Sequence, residues 1–377
     1  PKQPNRLMVD PGILHLVSDV VFENQPREFL NIGYTGWKNR ELVKETFDEI
    51  ETWTLRRLKN LGYACATVKL ETNPADGRIF VRIISGPNYP FPAIQRDEDN
   101  TLNESVMRRY DAFNEGAPFR QNLLNLTSSR MESAGVVSRS LFTVSCAQGY
   151  SIKHSVFLGA PRLLRIGAGI STEEFPIGRI SWKNTRMGDL ASMLSAELYA
   201  SQLRQNAQLA LDWYSIESLG RWYYEPSIEA KRINEINQKF LSYTLYNYIG
   251  TSVDYLSIRL ASKMGPAISY QNSIDGPTVG SNNYLMWNTS TQFNTHDFEI
   301  NSGNPISGNQ VLLDTSSLIA ASRGRSNAHL ISMSGTQLFN LGNYDPTQVI
   351  LGFRFGVRSV IVSQTRYKED LPAQYFS

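Results

Sequence analysis

The chain has 377 residues, a net charge of +2, 19% charged residues and 11% aromatic residues. This balance gives no electrostatic field that would attract nucleic acid, so we expect no nucleic-acid partner. The chain contains no apolar run of about 18 residues, which excludes a transmembrane helix. The same observation does not exclude a transmembrane β-barrel, because the strands of such a barrel are short and only half apolar.

The N-terminal part predicts a small α+β module after a polar tail. Apolar residues at helical spacing predict a helix over 41–61, which Gly62 ends. Two predicted strands follow, over 64–71 and 78–84, with a turn between them. We therefore assign residues 1–86 to the tail and a first module.

The next segment repeats this order of elements. Two helices are predicted over 103–112 and 120–134, and a hairpin follows with strands over 140–145 and 150–157. The repetition predicts a second module of the same kind, in tandem with the first, over 87–160.

The helical pattern disappears over 161–377, where we count about eleven strand candidates. The clearest is 349–360, and the segment 163–172 alternates in the same way. One face of this segment is apolar, with Leu164, Ile166, Ala168 and Ile170. The other face is small or polar, with Arg165, Gly167, Gly169 and Ser171. The polar segments 273–283 and 301–310, rich in Gly, Asn or Pro, are predicted to be loops.

Alternation of this kind is found both in a transmembrane barrel and in a soluble β-sandwich. Two features favour the barrel. Several strands exceed about nine residues, which is enough to cross a bilayer at a tilt. Glycines also recur on the polar face, where a barrel lumen tolerates them better than a packed core does. A soluble carbohydrate-binding β protein is the alternative.

The two cysteines, Cys65 and Cys146, lie in different modules. They either form one disulfide in an oxidising compartment or stay two buried thiols, and the residues alone leave both possibilities open. Their spacing indicates no metal site, and no Ser/His/Asp or paired-carboxylate arrangement stands out. We therefore predict a protein that is not an enzyme and uses no cofactor or metal.

Short motifs in this order resemble a known superfamily. The first module resembles a POTRA domain around Gly62 and over 83–89. The second resembles one over 102–104, 108–109, 116–119, 123–131 and 141–144. The beginning of the strand-rich part resembles the barrel of TamA-like, BamA-related members of the POTRA-plus-β-barrel outer-membrane assembly superfamily, over 166–172 and 178–184.

The resemblance implies α+β POTRA modules followed by an antiparallel transmembrane barrel of about sixteen strands, of which about eleven are present here. The segment 304–308 before 311–317 resembles a later turn of the family, and the pair of strands that leads to 371–372 and 375–376 also resembles the family. In the family, a lid-loop motif begins where this chain stops, at Ser377. We therefore expect the chain to contain the N-terminal part of the barrel.

The resemblance also implies a function: insertion or translocation of other proteins at a bacterial outer membrane, with the POTRA domains in the periplasm. The implied partners are unfolded outer-membrane or secreted client proteins, a periplasmic or inner-membrane protein bound to the POTRA region, and the lipid bilayer. A dedicated secretion pore of the two-partner type is the alternative function.

In the family, the first barrel strand meets the last one at a weak seam, so we expect a lateral gate there. A client strand would pair with the opened edge. The expected gate residues are Leu163, Leu164, Ile166, Gly167, Ala168, Gly169, Ile170 and Ser171. The alternative role of the two glycines is to make room for groups in the lumen or to relieve barrel curvature.

Overall fold

The computed structural model describes residues 15–29, 36–73, 75–96, 102–147, 149–170, 176–236, 238–255, 258–276, 279–298, 305–322, 327–341, 349–362, 371–372 and 375. These residues form three α-helices and three β-sheets. Two sheets have three strands each. The third has twelve strands, eleven of them in one continuous path.

The first module packs one helix on a three-stranded sheet. Its elements are β1 (Asp19–Glu23), α1 (Lys44–Asn60), β2 (Thr67–Asn73) and β3 (Arg78–Ile84). β1 runs parallel to β3 and β2 runs antiparallel to it, which gives the order β1-β3-β2. Ile50 and Leu58 lie on the buried face of α1 and share one core with Ile79 and Val81 of β3. The amphipathic pattern of the helix thus decides which face covers the sheet.

The second module has the same topology. Its elements are β4 (Gln95–Arg96), α2 (Glu104–Arg108), α3 (Gln121–Ala134), β5 (Arg139–Ser145) and β6 (Ser151–Phe157), in the sheet order β4-β6-β5. Helix α2 is shorter than the predicted 103–112, and Asn103 caps it by accepting a hydrogen bond from the backbone N–H of Ser105 at 2.8 Å. Helix α3 ends at Gly135, whose φ of +74° is the left-handed conformation that glycine adopts freely.

A disulfide joins the two modules. Cys65 lies just before β2, Cys146 follows β5, and their Cα atoms are 5.8 Å apart. Noncovalent contacts cross the same junction: Ala64 is buried in the core of the second module, and the backbone N–H of Tyr89 donates to the carbonyl oxygen of Gly62 at 3.1 Å. A structural disulfide of this kind belongs to an oxidising compartment.

The large sheet is an antiparallel meander in which each strand of the main path pairs with the one before and the one after it, and β14 pairs with β16. Its strands are β7 (Arg162–Gly169), β8 (Ile177–Met187), β9 (Ser192–Ala200), β10 (Arg204–Asp212), β11 (Trp222–Glu235), β12 (Gln238–Tyr255), β13 (Ile258–Asp275), β14 (Gly280–Asn294), β16 (Pro305–Ala321), β17 (Ala328–Leu341) and β18 (Val349–Val362). The two-residue β15 (Asp297–Phe298) pairs with β16 beside this path. The predicted fold class, α+β modules followed by an antiparallel strand array of about eleven strands, is confirmed.

The prediction that 273–283 and 301–310 are loops is largely wrong. Strand β13 extends to Asp275, β14 begins at Gly280, and β16 begins at Pro305. Ser273 and Asn282 are buried although they are polar. The reason is that these strands turn polar side chains to the inner face of the sheet, so polar composition does not mark a loop here.

The outer face of the large sheet is apolar and exposed. Ile166 lies beside Ile180 of β8, which lies beside Leu198 of β9, so the apolar row continues from strand to strand. All three side chains are exposed. A soluble sandwich would cover this face with a second sheet, and in the described part of the chain no such sheet packs on it. The exposed apolar row agrees with the predicted outer wall of a barrel and not with the packed face of a sandwich.

None of the helices in the described residues has the length and apolar character that crossing a bilayer requires.

We predict that the disulfide stabilises the two modules measurably, because it closes a loop between residues 81 positions apart. The double variant Cys65→Ser, Cys146→Ser should lose about 2–4 kcal/mol of unfolding free energy, because the unfolded chain regains the freedom that the bond removes. Urea denaturation of the full chain in detergent, followed by tryptophan fluorescence, measures this loss. Reductant should shift the wild type to the midpoint of the variant and leave the variant unchanged. An unchanged wild type in reductant would contradict the prediction.

Candidate functional site at the first strand of the large sheet

Strand β7 is one edge of the large sheet. All its residues from Arg162 to Gly169 pair with β8, and no other strand within the described ranges pairs with its second edge. Strand β18 forms the opposite edge. The predicted strand over 163–172 therefore exists with slightly different ends. Ile170 directly follows it, and Ser171 lies outside the described residues.

The outward side chains of β7 are strongly exposed. Ile166 is 73% exposed, and Ile170, just past the strand, is 77% exposed. Leu164 and Ala168 lie on the same face. An edge strand with a free row of backbone groups and an apolar exposed face is a template for pairing with another strand. The structure thus brings together seven of the eight predicted gate residues on or beside one edge.

The two glycines of β7 do not make room for any described group. A Cβ atom added at Gly167 or Gly169 would meet nothing within 4 Å. At Gly265 in β13, by contrast, an added Cβ would collide with the backbone carbonyl oxygen of Asn247. Neither glycine of β7 has a positive φ. Glycine weakens a strand at such positions, since it loses more conformational freedom on pairing than other residues and packs no side chain. Relief of barrel curvature stays the alternative role.

The beginning of β7 is held on the second module through its neighbour β8. The ammonium group of Lys183 donates to the carbonyl oxygen of Ala134 at 3.1 Å, and the hydroxyl of Thr185 donates to that of Gly135 at 2.6 Å. Both acceptors are at the C-terminus of α3, where carbonyl groups lack helical partners and a cation is favourable. One end of the strand pair is thus fixed, while the glycine-containing end of β7 makes no such contact in the described structure.

A buried ion cluster fixes the second module to the large sheet. Asp254, near the end of β12, lies 2.5 Å from Arg130 of α3 and 2.6 Å from Arg221, which precedes β11. Asp254 is only 2% exposed, and burial lowers the pKa of Arg130 to about 10 despite this carboxylate partner. Sequence reasoning missed the cluster because its members are far apart along the chain and carry no motif.

The inner face of the large sheet is polar. Lys263 pairs with Glu225 at 2.8 Å, and Arg179 pairs with Glu197 at 2.7 Å. Leu371 and Tyr375, which follow β18 in the chain, lie against this inner face. Leu371 is fully buried, and the hydroxyl groups of Tyr375 and Ser316 form a hydrogen bond of 3.1 Å. The sheet therefore separates an apolar outside from a charged inside, part of which the C-terminal segment covers.

We predict that Gly167→Thr and Gly169→Thr leave the protein folded and stabilise β7, by about 0.5–1 kcal/mol per site, because threonine is a better strand residue and finds open space there. The same change at Gly265 should destabilise the fold, because its Cβ meets backbone. Retention of the heat-modifiable form on gels and the urea midpoint in detergent measure both effects. Loss of folding in the β7 variants would show that these glycines are needed for space.

We also predict that Asp254→Asn weakens the joint between module and sheet by about 3–5 kcal/mol, because the buried guanidinium group of Arg130 and the partly exposed one of Arg221 lose their counter-charge. The matched control is Glu235→Gln, which removes the exposed pair with Arg204 and should change stability by less than about 1 kcal/mol. Urea midpoints of the full chain in detergent measure both variants. Equal effects would contradict the assignment of a buried, structurally important cluster.

Comparisons with known proteins add a likeness of the fold. No protein-family model matches the chain, and no curated protein matches it. BamA from Haemophilus ducreyi lacking POTRA domains 1-3 is 14% identical, with a TM-score of 0.49, over 92% of this chain and 70% of that one. CdiB from Acinetobacter baumannii is 11% identical, with a TM-score of 0.45, over 96% of this chain and 71% of that one.

These values are too low to support conclusions about function, and they do not distinguish TamA-like proteins from other members, so that closer relationship stays a prediction. The architecture follows from the elements themselves. Two modules of one topology precede a long antiparallel meander with an apolar outside and a polar inside. This is the order of elements that the resemblance to POTRA-plus-β-barrel proteins predicts.

Proposed function

We propose that this protein inserts or translocates other proteins at a bacterial outer membrane. In this proposal the large sheet is part of a transmembrane barrel and the two POTRA-type modules lie in the periplasm. The exposed apolar face of the sheet supports the membrane location. The disulfide between Cys65 and Cys146 supports an oxidising compartment. The role is one of assembly or transport without covalent chemistry, and it requires no cofactor.

The observation that carries the mechanism is the unpaired edge of β7. Backbone N–H and C=O groups in hydrocarbon must be hydrogen-bonded, so an edge in the bilayer requires a partner strand. We infer that β7 is one side of a lateral gate and that a client strand pairs with it by β-augmentation. Gly167 and Gly169 weaken the pairing of β7, which makes exchange between partner strands easier.

The modules offer a place to hold a client before it reaches the gate. Strand β5 is the edge strand of its sheet, and a groove of about 530 Å³ lies between it, α1 and α3. The groove has apolar walls at Leu55 and Phe142 and cations at Arg56 and Lys59. An extended client segment, or a periplasmic or inner-membrane partner protein, could add to β5 as a further strand.

A second candidate function, a secretion pore for one dedicated substrate, is favoured by the polar inner face. Side chains such as Lys263, Glu225 and Arg179 would line a path for an unfolded hydrophilic chain. The two functions differ in where the client passes: along the edge of β7, or along the inner wall.

We predict that a photo-crosslinking residue at the position of Ile166 captures client proteins in native membranes. The matched control is Leu245, an exposed apolar residue of the outer face in the central strand β12. A third position, Gln208, reports on the inner wall. Only the position in β7 lies at an unpaired edge, so we expect the client there alone. Adducts are detected by gel shift and identified by mass spectrometry.

The same experiment separates the candidates. Client adducts at Gln208 alone would favour the secretion pore and contradict the gate. Equal capture at Ile166 and Leu245 would indicate nonspecific contact and overturn the β-augmentation mechanism. As a further check, Gly167→Thr and Gly169→Thr should slow client insertion while the protein stays folded, because a firmer strand exchanges partners less readily.

A further inference from the structure

A loop of the large sheet, 213–221, exposes large apolar side chains on the side of the second module. The loop connects β10 to β11. Ile216 and Leu219 are exposed within it, and the flanking Trp213 and Trp222 are 51% and 50% exposed. A cluster of this kind, outside the regular strands, marks an interaction surface. The gate proposal does not involve it.

The loop is firmly held, so the exposure of these side chains is fixed by the fold. Trp213 and Tyr224 exchange backbone hydrogen bonds of 2.8 and 3.0 Å. Glu217 accepts a hydrogen bond from the side-chain amide of Asn103 at 2.9 Å, and Arg109 donates to the carbonyl oxygen of Gly220 at 2.6 Å. Both partners belong to the second module, which therefore sets the position of the loop.

The loop continues the apolar outer face. Leu209 of β10 and Ile228 of β11 pair with each other on that face, and both are exposed. Trp213 lies two pleats beyond Leu209 on the same face of the chain, towards the second module. The tryptophans thus stand at the rim of the apolar band, where indole rings favour the boundary between hydrocarbon and water.

Beside the loop lies a depression of about 470 Å³, whose charged lining residues are Arg108, Arg109, Arg221 and Glu217. Arg221 is engaged by Asp254, and Arg109 is buried and donates to backbone carbonyls. Arg108 differs from both, because it is 59% exposed and its ion pairs are with exposed carboxylates, Glu104 of its own helix at 2.8 Å and Glu115 at 3.8 Å. Exposed pairs of this kind contribute little, so the guanidinium group can exchange them for the phosphate of a ligand.

We propose that this loop docks on the periplasmic-side leaflet of the bilayer and that Arg108 binds the phosphate of an anionic phospholipid there. The apolar cluster would enter the region of the acyl chains while the guanidinium meets the headgroup. This inference rests on the membrane location proposed above and goes beyond the gate. Its consequence is that a lipid holds the second module at a fixed angle to the membrane, because the same module positions both the loop and Arg108.

Labelling tests the apolar contact. Both native cysteines are in the disulfide, so single cysteines in place of Leu219 and, separately, Ile216 can carry a polarity-sensitive fluorophore. The full-length protein is placed in nanodiscs whose lipids have brominated acyl chains, which quench fluorophores in the hydrocarbon. We expect strong quenching at both positions. Leu245→Cys serves as the positive control on the outer face, and Lys69→Cys, exposed on β2, as the negative control.

The controls separate this inference from the proposed membrane location. Quenching at Leu245→Cys without quenching at Leu219→Cys or Ile216→Cys would leave the barrel in the membrane and overturn the docking of the loop. Absence of quenching at Leu245→Cys would overturn the membrane location itself, and the docking with it.

Binding of short-chain phosphatidylglycerol to the full-length protein in neutral detergent tests the phosphate contact. Arg108→Ala should weaken binding about fivefold, the effect of one arginine near an anionic lipid surface. Arg120→Ala, an exposed arginine at the opposite end of α3 from the large sheet, should leave binding unchanged. Equal loss in both variants would indicate a general charge effect and overturn the site. Equal binding of inorganic phosphate would assign the depression to a free anion and overturn the lipid proposal.

Discussion

The constraint on which this structure depends is that backbone hydrogen-bonding groups in hydrocarbon must have partners. Within the large sheet this demand is met strand by strand, from β7 to β18. It is not met at the outer edges of those two strands by any described residue. If the sheet lies in the membrane as proposed, its apolar face favours burial there and the edge of β7 needs a partner strand. Any account of function therefore has to say what pairs with β7, and the proposed client strand is one answer.

The remaining features fix where that edge stands. The disulfide and the Tyr89–Gly62 hydrogen bond make the two modules one unit. The Asp254 cluster and the bonds of Lys183 and Thr185 attach this unit to the large sheet. A groove beside β5 is thereby held in a defined relation to β7. Rigid attachment matters because strand addition requires the incoming backbone to arrive in register, and a freely rotating module would supply it at random angles.

Local patterns in the sequence predicted the parts of the fold that depend on side-chain periodicity. They did not predict the parts that depend on contacts between distant segments. The two-residue period identified β7 and β18 because one face of each is continuously apolar. The same rule failed near Ser273 and Asn282, since polar residues that face inward look like a loop when the sheet around them is unknown. The ion cluster of Asp254 could not be predicted from the sequence, because Arg130 and Arg221 contact this residue only when the second module packs on the large sheet. For Gly167 and Gly169, the open space around them is a property of the folded chain that no local pattern reveals.

The free energies of strand pairing decide how the proposed gate can work. Each backbone hydrogen bond left unpaired in hydrocarbon costs several kcal/mol, so a strand of eight residues such as β7 cannot simply separate from a partner and wait in lipid. Two glycines weaken the pairing of β7 by only about 1–2 kcal/mol. That amount is too small to open an edge but large enough to bias an exchange in which one partner strand leaves as another arrives, because the hydrogen bonds then nearly cancel. In the proposed gate, the glycines of β7 therefore favour strand exchange with the edge paired throughout, and not a gate that opens first and binds its client afterwards.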